Sequence, residues 1–368
     1  MTTLSPPRGE HGALLTIDLA ALAANWRLLK QRAGSAECAA VVKADAYGIG
    51  IAQAVPALWR AGCRCFFVAH LSEARMVRAA APEAVVYVLN GFPPGAGPAY
   101  HAIDARPVLG SLDEIAEWRT VGGPAALHLD TGMNRLGLSS DEFARALAGG
   151  AFDGFTPSLL MSHFVSAEEA DSPINPRQIA AFAAFRQALA NVPASLCNCS
   201  SLFLPEPPLH DLVRPGYALY GGNPTPGRPS PMQPVVRLEA MVMQVREVEP
   251  GDTIGYNAQW TARRVTRIAT LSIGYADGWL RSQSASDDHA GGVTLLDGQP
   301  CPFAGRVSMD LITVDVTDLA EGAVKRGDMA VLLGDGITVD DVGRRANTNG
   351  YEILTDLGRR FARHYIGG

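Results

Sequence analysis

Lys43 in VVKADAYGIG, His163 in MSHF and Arg214 in VRPGYALYGG carry more chemistry than the apolar runs around them call for. Lys43 closes the run CAAVVKA, so packing that run takes its amine out of water and lowers its pKa. A neutral amine adds to an aldehyde to give a Schiff base, so environment and reactivity agree. A rim ion pair between Lys43 and Asp45 or another carboxylate is the alternative reading of the same residues. Arg214 can donate hydrogen bonds but cannot accept a proton. It either faces a ligand or bridges a strand to a helix. Ser200, Ser201 and the backbone near Gly216 suit close approach to an anion, although NCSSL also reads as a helix cap. Asp130 and Arg135 in LDTGMNRLG complete the set.

The elements that must position these residues are legible as repeated strand and helix units. Eight short apolar runs, CAAVVKA, CRCFFVAH, AVVYVLN, RPVLG, AALHLD, SLLMSHF, SLCNCS and VRPGYALYG, alternate with amphipathic stretches. Each is brief enough to be a parallel strand buried on both faces. Between them, SEARMVRAA is expected to be a helix capped by Ser72, and SLDEIAEWRT one in which Ser111 precedes Glu114 as in a capping box. NPRQIAAFAAFRQALANV carries Pro176 in its first turn. Eight such units argue for an α/β fold of the (β/α)8 TIM-barrel type, whose strand C-termini form the active face. On that face fall Lys43, Asp130 and Arg135, His163, the Asn198 to Ser201 run, and Arg214.

Residues 1–222 are therefore read as the barrel and 223–234, dense in Gly, Pro and Ser, as a linker. Residues 235–368 form a second, mostly β domain, because VVRLEAMVMQVREV, RVTRIATLSIG, DLITVDVTD and DMAVLLG are β-branched or alternating and are separated by turn signals. Its end, NGYEILTDLGRRFARHYI, is expected to be helical, and the opening strand ALLTIDL is assignable to either domain. A hydrophobic content of 47% supports a large core, and a net charge of −6 offers no basic field for nucleic acid or anionic lipid. No run reaches the ~20 apolar residues of a membrane span, and MTTLSPPRGEHG has no leader pattern, so the cytoplasm is the expected location. The six cysteines read as buried reduced thiols. Cys63 with Cys65 and Cys197 with Cys199 are spaced by one residue, where zinc and redox pairs prefer two.

In order and spacing, VVKADAYGIG, LDTGMNRLG, MSHF, VRPGYALYGG, IGYADGW, GRVSMD and GYEILTDLGRR resemble the motifs of alanine racemases, and they run from residue 41 to 360. The resemblance implies a pyridoxal 5′-phosphate (PLP) enzyme that interconverts L- and D-alanine, with the cofactor on Lys43 as a Schiff base. It implies that Tyr47, Gly216, Tyr217, the Cys199 and Ser200 region and Tyr351 hold the phosphate. His163 would lie against the cofactor ring and support Arg214, which would face the pyridine nitrogen. Arg135 would sit near the substrate carboxylate.

Inversion through a planar carbanion is most direct with one base on each face. The family's second base is a tyrosine nineteen residues before that of GYADG; Tyr256 stands at that distance from Tyr275. The resemblance implies that Tyr256 enters from the partner subunit of a head-to-tail homodimer, together with Met309 and Asp310. A tyrosine packed in a hairpin is the alternative. The sequence departs from the family at His128, in place of a lysine that is modified to a carbamate. Cys199 stands for a serine and Asn257 for a glycine.

A broader-specificity racemase, a PLP decarboxylase, a non-catalytic PLP carrier and a metal hydrolase using His128, His163 and Asp130 are the competing functions. Arg214 argues against the decarboxylase, Tyr256 and its domain against the carrier, and the lack of an H-x-H pair near the first strand against the hydrolase. The resemblance leaves open whether D-alanine goes to peptidoglycan precursors or alanine to breakdown.

Overall fold

The computed structural model describes residues 10–368; the start of the chain, on which the leader reading rests, lies outside the described residues. Two compact units divide the chain, one built from the residues up to Ala21 together with Pro234–Gly368, the other from Leu22–Gln233.

In the second unit seven parallel strands pair in chain order: Ala40–Val41, Cys65–Val68, Val85–Val88, Ala105–Leu109, Ala126–His128, Leu159–Met161 and Ala194–Ser195. An eighth, Leu212–Val213, pairs in parallel with Glu37–Cys38 just ahead of the first. The Val41 N–H donates to the Pro215 carbonyl at 2.9 Å and the Arg214 N–H to the Cys197 carbonyl at 2.9 Å, which closes the ring. The second strand, CFFV, is buried throughout, as a strand covered on both faces must be.

Helices Ile51–Ala61, Leu71–Ala80, Leu112–Val121, Ser140–Ala148 and Ile174–Ala188 stand between the strands. Ser111 caps its helix by accepting the Glu114 N–H at 3.2 Å. The helix expected to start after Ser72 starts earlier, because Glu73 accepts the His70 N–H at 3.1 Å and so makes His70 the cap. The run VRPGYALYG is not one strand: Pro215 lacks a donor, and Tyr217–Tyr220 winds into a 3-10 helix.

The other unit is a sheet built on the thirteen-residue strand Val236–Val248. Its first half pairs with Ala13–Asp18 and Met329–Leu333, its second with Thr266–Leu271, across a register shift at Val242/Gln244. The segment ALLTIDL thus lies in this sheet. The end of the chain is only partly helical, at Gly350–Thr355; Ala362–Ile366 is a strand parallel to Ala13–Asp18, with Leu14 opposite Ala362. Tertiary pairing there overrides the helical reading.

Candidate active site

Lys43 opens a turn with an unusual backbone. Ala44, Asp45, Ala46 and Tyr47 have φ of 54°, 53°, 55° and 51°, a left-handed conformation that costs non-glycine residues roughly 1–2 kcal/mol each. The turn is closed by the Ala46 N–H to Val42 carbonyl bond at 2.9 Å and the Gly48 N–H to Ala44 carbonyl bond at 2.8 Å. Asp45 accepts the Ile51 N–H at 2.8 Å, at the start of the next helix. One Asp45 carboxylate oxygen is thus taken by the backbone, and among the described residues no ion pair joins Asp45 to Lys43. The Lys43 amine is half-buried. Burial and then the Arg135 guanidinium hold it below the usual lysine range, while Glu73 pulls the other way.

Arg214, 4% exposed, follows the eighth strand. Its guanidinium donates to the Ser195 carbonyl at 2.8 Å and also to the Ser195 hydroxyl and the Ser162 carbonyl. Burial lowers its pKa to about 10, so it remains a cation at neutral pH. Ser162 and Ser195, which sequence reading did not single out, are thus what fix Arg214. Their signal was weak, since each acts from a different strand. His163 follows the sixth strand, and its pKa is pushed down to about 3 by burial first and then by Arg214 and Lys43. Its ring makes no hydrogen bond to Arg214 among the described residues; its carbonyl accepts from Gln178 at 2.9 Å. His128, ending the fifth strand, is pushed down to about 4 by burial and Arg214. Both imidazoles are neutral at pH 7.

Two short 3-10 helices begin beyond the seventh and eighth strands, at Ser200 and Tyr217. Cys199 and Ser200 are buried, and Ser201 binds back to Asn198 at 3.0 Å. A Cβ on Gly216 would lie 2.6 Å from the Tyr47 hydroxyl. Tyr47 itself is buried and stacked on Tyr220 with ring centroids 4.5 Å apart. The glycine is what lets that hydroxyl reach the backbone at 216. Asp130 shapes the loop that bears exposed Arg135, accepting the Gly132, Met133 and Asn134 N–H groups, each at 2.9 Å. Among the described residues no cluster of three or more His, Cys, Asp or Glu is placed to hold a metal, which leaves the His128, His163 and Asp130 trio without a site.

In the β unit, Tyr256 sits at the tip of a hairpin between Thr253–Ile254 and Trp260–Thr261. Ile254 and Trp260 pack with Ile268 and Ala304 beneath it, yet Tyr256 is 68% exposed. That exposure sets aside the packed-hairpin alternative. Asn257 takes φ 65°, a left-handed conformation that asparagine tolerates better than most residues. Met309, 53% exposed, belongs to the same unit, as do exposed Tyr275 and Tyr351. Asp310 is tied to Arg360 at 2.8 Å, and Arg360 to Asp277 at 3.1 Å.

A barrel with a pKa-lowered lysine and a buried arginine at its strand ends, followed by a β unit, defines an enzyme of the barrel-lysine class. Residues 17–224 match the family model described as alanine racemase, N-terminal domain, and residues 235–365 the model for the C-terminal domain. An alanine racemase from Methylobacterium nodulans is 60% identical over 366 residues, covering 98% of this chain and 97% of its own. The crystal structure of alanine racemase from Bartonella henselae with covalently bound pyridoxal phosphate superposes with a TM-score of 0.91 at 38% identity, over 96% of this chain and 99% of that one. The biosynthetic enzyme from Pseudomonas aeruginosa gives 0.89 at 33% identity, over 96% and 99%. The chain belongs to the alanine racemase family.

Proposed function

We propose that this chain interconverts L- and D-alanine with PLP, using Lys43 and Tyr256 as bases on opposite faces of the substrate. The observation that carries the reading is Lys43: an amine held low in pKa, outside any ion pair among the described residues, on the catalytic face of the barrel. The donor set fits the cofactor. Gly216 leaves the space that a Cβ would fill beside Tyr47, and the backbone at Gly216, Tyr217 and Ser200, with the Tyr47 hydroxyl, would hold the phosphate. Cys199 contributes a poorer donor than a hydroxyl. When bound, PLP supplies the aldehyde that the Lys43 amine attacks and a conjugated ring that withdraws electrons from the substrate α-carbon.

Every other part of the reaction belongs to the chain. Arg214, still protonated and fixed by Ser195 and Ser162, would offer only N–H groups to the pyridine nitrogen. That would keep the nitrogen unprotonated, moderate the electron sink and disfavour decarboxylation or transamination. His163 would lie against the ring as a neutral imidazole. Arg135 pairs with the substrate carboxylate. Lys43 Nζ takes or returns the α-proton on one face, and Tyr256 Oη does so on the other.

Exposure of Tyr256, Met309 and Leu311 on the β unit fits their entry into the partner's barrel in a head-to-tail homodimer. The six cysteines are unpaired, which fits a reducing cytoplasm, and no helix of the described residues is long and apolar enough to cross a membrane. Cell fractionation checks the location. Tyr256→Phe should keep the visible band of bound PLP and lose racemisation in a chiral assay. Turnover at the original rate would overturn the second base.

A further inference from the structure

The turn that presents Lys43 contains no glycine between Lys43 and Tyr47, so something must hold it left-handed. The only carboxylate that reaches its leading amides from outside the turn, among the described residues, is Glu73, near the start of the helix Leu71–Ala80 that follows the second barrel strand. One carboxylate oxygen, Oε1, accepts the Ala44 N–H at 2.6 Å and the Asp45 N–H at 3.4 Å. The other, Oε2, accepts the Ala69 N–H at 2.8 Å and the His70 N–H at 3.1 Å. An ionised carboxylate has about four acceptor sites, and here all are spent on backbone.

We infer that Glu73 is a positioning residue for the reaction: its carboxylate clamps the left-handed turn to the neighbouring strand end and thereby aims the Lys43 amine. A structural role alone would stop at capping its own helix, which Oε2 already does. The protein carries an internal comparison. Glu114 opens the helix Leu112–Val121 in the same way, accepting the Gly110 N–H at 2.6 Å with one oxygen and the Phe92 N–H at 2.7 Å with the other. Glu114 therefore knits two strand ends by the same device, but its far oxygen falls on Phe92 and not on the lysine turn.

The proposal rests on Lys43 acting as a base, and the test separates the two. Glutamine has one acceptor oxygen where glutamate has two, so Glu73→Gln must abandon either the turn or the cap. Amide hydrogen exchange of the holoenzyme is measured first. Glu73→Gln is expected to speed exchange at Ala44 and Asp45 by roughly tenfold or more, while Glu114→Gln leaves those amides at the wild-type rate. Steady-state kinetics follow. A misaimed amine lowers kcat roughly 10- to 100-fold with KM for alanine nearly unchanged. The isotope effect with α-deuterated alanine should rise in the one direction in which Lys43 removes the proton.

Faster exchange with an equal rise in both directions keeps the clamp and overturns Lys43 as a one-face base. Unchanged exchange at Ala44 and Asp45, or the same kinetic loss in Glu114→Gln, overturns the clamp. Glu73→Asp keeps the charge but withdraws it by one methylene, and it serves the same comparison if the glutamine variant does not accumulate.

Discussion

Replacing Gly216 by alanine adds one methyl group at the tightest approach in the cofactor cradle. Its Cβ would stand 2.6 Å from the Tyr47 hydroxyl, 3.3 Å from the ring carbon bearing it and 3.4 Å from Val41 Cβ. The φ of Gly216 is −128°, outside the left-handed region. The contact with Tyr47 sets the steric part of the penalty. Tyr47 cannot swing away, because it is buried, sits at φ 51° and stacks on Tyr220 at 4.5 Å. An ordinary contact at ~3.4 Å requires a shift of nearly an ångström, and overpacking of that kind costs about 1–3 kcal/mol. If the strain is released when the 216 backbone moves away from the phosphate, PLP affinity falls by roughly 5- to 150-fold. The assay is a titration of the visible PLP band against purified apoenzyme, with thermal unfolding beside it. An affinity within twofold of wild type, at an unchanged Tm, would refute the claim that the Tyr47 hydroxyl and the 216 backbone form one rigid cradle.

Ser195→Ala removes a hydroxyl acceptor from a buried guanidinium; urea unfolding should show a loss of about 1–3 kcal/mol. Asp130→Ala releases the Gly132, Met133 and Asn134 N–H groups, and the freed Arg135 loop should raise KM for alanine more than it lowers kcat, measured by steady-state kinetics. The pH dependence of stability follows from the two neutral histidines. His163 and His128 have folded pKa values pushed down to about 3 and about 4, so the unfolded chain binds protons first as pH falls below ~6.5. Their stabilisation is complete above that pH and is lost on descent toward pH 4. Thermal melts from pH 7 to pH 4 should show a falling Tm, and His128→Asn should flatten the slope.

Much of this site was legible because its chemistry lies in single side chains. Lys43 at the end of a buried strand and Arg214 in a short apolar run announce themselves by type and position. The strand count put both at the strand C-termini before any distance was known. What could not be read is carried by backbone conformation and by partners distant in sequence. Ala44, Asp45 and Ala46 are ordinary residues, and nothing in their type signals φ near 54°; the cause, Glu73, lies 29 residues away. Ser162 and Ser195 matter because two strands bring them to Arg214, which no local pattern encodes. The last strand, Ala362–Ile366, reads as helix in isolation and becomes a strand only beside Ala13–Asp18. The hairpin of Tyr256 could be located, but its exposure depends on which neighbours bury and which do not.

The central claim is that each reaction centre takes Lys43 from one subunit and Tyr256 from its partner, and subunit mixing tests it most directly. Lys43→Ala and Tyr256→Phe are each expected to be inactive. When the two are co-expressed or refolded together, the mixed dimer holds one centre with both bases intact and one with neither. Random pairing then restores about one quarter of wild-type activity, since half of the dimers carry one of two working centres. No recovery from a demonstrated mixed dimer would place both bases on the same chain and contradict the account.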